Sequence, residues 1–146
     1  MPSPLKYRTV LLRCARLISD DFNEILLPYQ LNYSLWQVLY LIQEHPAINS
    51  IDLAKLLNIS KPSVAKRVQI LMQLGFLQQV ETHDKRQKKL MLSKCGQSLF
   101  SECAEKIDSY ERETLKDFDH LEIVQSFQTL NTLLEQLQNK KELRHE

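Results

Sequence analysis

Across residues 5–27 the apolar side chains fall at Val10, Leu11, Cys14, Ala15, Ile18, Phe22, Ile25 and Leu26. Steps of three and four residues place them on one face of a long helix. Pro28 and the polar residues up to Asn32 end or kink that helix, because proline has no amide hydrogen to donate. A second helix is expected from a Ser34 cap through Trp36, Leu39, Tyr40 and Ile42 toward His45, with Pro46 as its stop. Asn49 or Ser50 then caps a short helix over 51–57, and Asn58-Ile59-Ser60 turns the chain. Ser60 caps the next helix, with Pro62 in its first turn, where a missing N–H costs nothing. That helix continues through Val64, Val68, Leu71 and Met72 to Gly75, the glycine expected just past a helix end.

Two short helices joined by a tight turn read as a helix-turn-helix. Phe76, Leu77 and Val80 mark a strand within 76–82, residues 83–88 are wholly polar, and Leu90 and Leu92 take alternate positions of a second strand over 89–93. Strand, polar tip and strand directly after a helix-turn-helix make a winged helix. Ser93 stands where the cap of another helix belongs, and Leu99, Cys103, Ile107 and Tyr110 carry helical spacing through 95–118. After Asp119, Ile123, Phe127, Leu130, Leu134 and Leu137 step by four, three, four and three, a seven-residue repeat that forms the seam of packed helices. The last residues, 139–146, are expected to fray. The fold class is therefore mainly α: a winged helix-turn-helix core with a two-stranded wing, flanked by long N- and C-terminal dimerisation helices. Residues 1–146 are expected to form a single domain, a winged lobe over 34–94 flanked by the long helices of 1–33 and 95–146, whose apolar faces call for a second copy.

Composition narrows the function. Two glycines in 146 residues are too few for a barrel or sandwich of many short strands, which needs a turn signal about every 8 to 12 residues. The longest uncharged run, 25–43, is broken by Gln30, Asn32, Ser34 and Gln37, so it is not a membrane span of about 20 apolar residues. Charges at Lys6, Arg8, Arg13 and Arg16 leave no clean apolar signal segment. Three widely spaced cysteines do not form a secreted disulfide framework. A reduced, cytoplasmic location is expected.

The net charge of +1 hides an asymmetry. Between positions 60 and 94 eight Lys/Arg face only Glu81 and Asp84, a local charge of +6 that leaves −5 for the remainder. That is the footprint of a polyanion binder. Enzyme readings find no support. There is no glycine-rich phosphate loop, Cys-x-x-Cys, His-Glu-x-x-His or Gly-x-Ser-x-Gly, and His45, His83, His120 and His145 lack ligand spacing. Neither a metal nor a cofactor is expected.

Asp52-Leu53-Ala54, Leu56-Leu57, Ile59-Ser60-Lys61-Pro62-Ser63-Val64, Leu71 with Gly75-Phe76-Leu77, Asp84-Lys85-Arg86 and Leu92-Ser93 with Gly96 together resemble the MarR family of bacterial transcription regulators. The Asp-x-Arg wing followed by a strand and a Leu-Ser-x-x-Gly opening is the specific part, and the order of elements matches over nearly the whole chain. Gln87-Lys88-Lys89 stands where family wings often carry further arginines, Gln69-Ile70 where an Asp-Arg pair is common, and Leu74 where a charge is usual.

The resemblance implies a homodimer that grips double-stranded DNA at a pseudo-palindromic operator, without membrane contact. The helix from Lys61 would lie in the major groove and present Ser60, Lys61, Pro62, Ser63, Lys66 and Arg67. Lys66 or Arg67 would read guanine, and the Ser60 hydroxyl or first-turn amides would meet phosphate. In the wing Arg86 would enter the minor groove, oriented by Asp84, with Lys85, Lys88 and Lys89 on phosphates. The family further implies a repressor released by a small amphipathic or phenolic effector, for which Tyr7, Arg13, Tyr33, Trp36 and Tyr40 are the candidate lining. Two alternatives stand beside it. One is a redox-responsive regulator of the same fold, switched through Cys14. The other is a winged-helix module for protein–protein contact, which would carry an apolar rather than a cationic helix face.

Overall fold

A computed structural model of the protein describes residues 6–83 and 88–144. Helix α1 (Tyr7–Leu26) is followed by a 3-10 turn (Leu27–Tyr29), α2 (Tyr33–Glu44), α3 (Ser50–Leu57) and α4 (Lys61–Gln73). Strands β1 (Leu77–Val80) and β2 (Lys89–Leu92) pair antiparallel, and α5 (Lys94–Leu115) and α6 (His120–Arg144) complete the chain. The expected mainly helical fold with a two-stranded wing is the observed one. The chain divides into a first unit, residues 1–107, and a second, residues 108–146.

The core lies in the first unit. Leu26, Val38, Leu39, Leu53, Val64, Leu71, Leu90 and Cys103 are almost completely enclosed, with Trp36, Val68, Leu77 and Leu92 close behind. Strand side chains alternate about the ladder, so Leu77, Leu90 and Leu92 point inward while Gln78 and Met91 stay exposed. The Leu90 amide also donates to the Ile48 carbonyl at 2.9 Å, which joins the approach to α3 to the wing.

Local chemistry explains the helix ends. Asn49 caps α3 by accepting from the Asp52 amide at 2.8 Å, and Ser60 caps α4 by accepting from the Ser63 amide at 3.2 Å. The cap of α2 differs from expectation. Asn32, not Ser34, accepts from the Leu35 amide at 2.9 Å, and the Asn23 side chain on α1 accepts from the Tyr33 amide at 2.7 Å. The helix therefore starts one residue before the expected cap, and an asparagine holds it from each side of the 3-10 turn. The turn between α3 and α4 has no glycine because Asn58 takes the left-handed conformation itself (φ 53°), at the low cost Asn pays there.

Ser93 and Gly96 form a clasp. The Ser93 hydroxyl donates to the Gly75 carbonyl at 2.6 Å and accepts from the Gly96 amide at 2.9 Å. The Ser93 amide donates to the Phe76 carbonyl, also at 2.9 Å. One serine thus caps α5 and ties it to the exit of α4. Gly96 permits this approach, since a Cβ there would lie 2.1 Å from the Phe76 carbonyl oxygen.

The second unit contrasts with the first. Of the seam residues on α6, Phe127, Leu130, Leu134 and Leu137 are exposed, and no residue of that helix is buried. The helix runs on to Arg144, past the point where fraying was expected. On α1, Val10, Leu12, Leu17 and Ile18 are likewise exposed. No helix is long and apolar enough to cross a membrane among the described residues.

Candidate nucleic-acid interface

Helix α4 is anchored by Val64, Val68 and Leu71, which face the core. Its opposite side presents Pro62, Lys66, Gln69 and Gln73, spaced four, three and four residues apart and all exposed. Lys61 and Ser63 are exposed beside them, and the first turn holds no acid. The helix N-terminus carries a partial positive charge, so an acid-free turn with Lys61 and Lys66 concentrates positive potential at one end of α4. Neither lysine pairs with an acid among the described residues.

The expected residues take distinct positions. Ser60 is not a free hydroxyl: it accepts from the Ser63 amide and lies 2.8 Å from the Ser63 hydroxyl. Its first task is to cap the helix. Arg67 does not share the outward face with Ser63. It is half-buried and its guanidinium turns back onto α2, donating to the Ser34 carbonyl at 3.2 Å and the Gln37 side-chain oxygen at 3.4 Å. Lys88 is exposed just before β2, next to exposed Lys89, and Glu81 and His83 after β1 are exposed as well. Asp84, Lys85 and Arg86 lie outside the described residues.

From the sequence, Gln73 has no role and Gln69 only that of a departure from a common family pair. With Ser50, Ala65, Val68, Met72 and Gln79 they line an open cleft of about 490 Å³ between α4 and β1. The signal existed in the 62–66–69–73 spacing, but a charge count passes over amides.

The candidate effector residues differ in their exposure. Trp36 is 6% exposed and stacks on Phe100, with ring centroids 4.9 Å apart and planes at 9°. Tyr33 is half-buried and meets Phe22 edge-on at 5.7 Å. Tyr7, Arg13 and Tyr40 are exposed, and none of the five lines the cleft described above. Cys14 is exposed, although the sequence places it on the apolar face of the first helix. Cys95 is also exposed, whereas Cys103 is enclosed and burial pushes its thiol up to about 11, with the Glu102 charge adding to the effect.

A family model described as the MarR family matches residues 29–87. An HTH-type transcriptional regulator of Bacillus subtilis (strain 168), YwoH, is 33% identical over 104 residues, covering 71% of this chain and 76% of YwoH. Among solved structures, the Staphylococcus aureus MepR–DNA complex superposes with a TM-score of 0.81 at 18% identity, covering 92% of this chain and 99% of the other. CouR from Rhodococcus jostii RHA1, bound to p-coumaroyl-CoA, gives 0.77 at 19% identity, covering 86% and 89%. At these identities the superpositions speak for the fold.

Proposed function

Because the chain belongs to the MarR family of transcription regulators, we propose that it is a homodimeric, sequence-specific DNA-binding repressor. The observation that carries this reading is the acid-free, cationic start of α4, exposed on the same unit as the wing. MepR, a structural neighbour, is seen bound to DNA. In this reading residues 34–94 are the DNA-binding lobe. Lys61, Pro62, Ser63 and Lys66 face the major groove, and Ser60 offers its remaining hydrogen-bonding capacity to phosphate. Asp84, Lys85, Arg86 and Lys88 serve the wing, and Arg67 belongs to the interface through its hold on α2.

Dimerisation through residues 1–33 and 95–146 is supported by the exposed apolar seam of α6 and the exposed apolar residues of α1. Phe127 and the three seam leucines are 39–67% exposed, so a partner that covered them would add about 1 kcal/mol for each. A second copy is the partner that meets this requirement with no further component. A two-fold pair of winged units calls for an operator with half-sites about one helical turn apart.

A small amphipathic effector that releases the DNA completes the reading, and the ligand held by CouR shows such chemistry in a chain of this fold. Tyr7 and Arg13 on α1 and Tyr40 on α2 offer exposed aromatic and cationic groups for it, and Tyr33 and Trp36 of α2 complete the proposed lining. A redox trigger at Cys14 is the second reading, favoured by the exposure of that thiol.

Selection from a random pool of duplexes tests the proposal. Enrichment of an inverted repeat with that spacing supports a dimeric regulator, and enrichment of no sequence at low salt overturns it. Peroxide treatment of the bound complex, repeated with Cys14→Ser, separates the two triggers: release that depends on Cys14 identifies the redox one.

A further inference from the structure

We infer that Arg67 is a positioning residue, which sets the angle of α4 for sequence reading and does not itself touch DNA. This rests on the DNA-binding reading above and deepens it. Helical arithmetic pairs Arg67 with Ser63, four residues earlier, as a groove-facing pair. Their Cα atoms do lie only about 40° apart around the helix, and it is the Arg67 side chain that leaves the pair by turning toward α2. Lys66 is exposed, whereas Arg67 is half-buried as a residue and reaches toward α2.

Both of its acceptors belong to the start of α2: the Ser34 carbonyl at 3.2 Å and the Gln37 side chain at 3.4 Å. A main-chain carbonyl has two lone pairs, so Ser34 can serve the guanidinium and its own helix together. A charged donor on neutral acceptors makes a stronger bond than a neutral pair, and one guanidinium nitrogen, Nη1, donates to both acceptors. The start of α2 is itself held firmly. Asn32 caps it from within, and Asn23 on α1 accepts from the Tyr33 amide. The sequence Asn23–Tyr33–Ser34–Arg67 is therefore a continuous hydrogen-bonded and covalent path from α1 to the reading helix. The hydrophobic contacts of Val64 and Val68 fix the distance of α4 from the core, and Arg67 fixes its rotation about its own axis.

The test compares affinity for the duplex enriched by the unaltered protein with affinity for a scrambled duplex of equal length. Arg67→Met keeps the aliphatic stem and the helix propensity. It is expected to weaken the enriched duplex about tenfold, to leave the scrambled duplex unchanged, and to keep the salt dependence on the scrambled duplex. Lys88→Met is the contrast: it lowers both affinities and flattens the salt dependence by about 0.9 for each phosphate contact removed.

Gln37→Ala separates positioning from base contact, since Gln37 lies on α2. It is expected to weaken only the enriched duplex and to add nothing to Arg67→Met. Arg67→Met that flattens the salt slope makes Arg67 a phosphate contact and overturns the inference. So does Arg67→Met without effect on the enriched duplex, or Gln37→Ala without effect. Failure of the unaltered protein to prefer any duplex overturns the regulator reading itself and this inference with it, a result distinct from the other three.

Discussion

Helices α4 and α6 both space their apolar residues by threes and fours, yet one is finished within the chain and the other is not. On α4, Val64, Val68 and Leu71 are buried in the core of the first unit. On α6, Phe127, Leu130, Leu134 and Leu137 keep the same kind of spacing and remain exposed. Sequence periodicity says that a face must be covered, but it does not say by what. The difference divides the molecule: the winged unit carries its own core and leaves a cationic edge exposed, while the closing helix leaves its apolar surface exposed.

The most damaging change to this contrast is made on α6. Leu130→Glu with Leu134→Glu places four charges in a two-fold seam, and the account expects the mass in solution to fall to that of one chain. The winged unit should keep its near-native thermal unfolding, and sedimentation together with calorimetry reads both. An unchanged mass would take α6 out of the interface.

Gly96→Ala strikes the first unit instead. A Cβ 2.1 Å from the Phe76 carbonyl oxygen would force α5 away from the exit of α4, and urea unfolding should show a loss of about 3 kcal/mol.

Cys103 gives a pH dependence of known sign. Its thiol is raised in the folded state from the usual 9.0 to about 11 because the charged form is excluded by burial. The neutral thiol therefore contributes stability that is complete below pH 9 and is lost as the pH rises toward 11. Cys103→Val should lose less stability than the unaltered protein across that interval.

The smallest effect is a gain. Ala47 has φ of 73° in the turn before α3, a conformation glycine adopts freely, so Ala47→Gly should stabilise the winged unit by up to about 1 kcal/mol. A loss of stability would show that the turn is held by something other than its backbone.

The sequence made the winged unit legible where short-range chemistry decides. Ser60 with Pro62 marked the start of α4, Gly75 its end, and Ser93 with Gly96 the opening of α5, because each needs only its near neighbours. It misled where two side chains compete for one task. Ser34 is a good cap, but Asn32 lies closer to the true start and Asn23 reaches over from α1 to hold the next amide. Long side chains were the other difficulty. Spacing locates the Cα of Arg67 on a face, while four flexible bonds let its guanidinium choose α2, an element 30 residues away in sequence. Amides were passed over for the opposite reason: Gln69 and Gln73 add nothing to a charge count, and only their exposure on the outer stripe brings them forward. Periodicity found the α6 seam and could not supply its partner.

The central claim is that two copies of a cationic edge hold one duplex, and a single salt titration tests it. The logarithm of the association constant for the enriched duplex is followed against the logarithm of salt concentration for the unaltered protein and for Lys88→Met. In a two-fold complex each substitution removes two phosphate contacts, so the slope should fall by about 1.8. A slope that is flat in the unaltered protein, or one that Lys88→Met leaves where it was, contradicts the account.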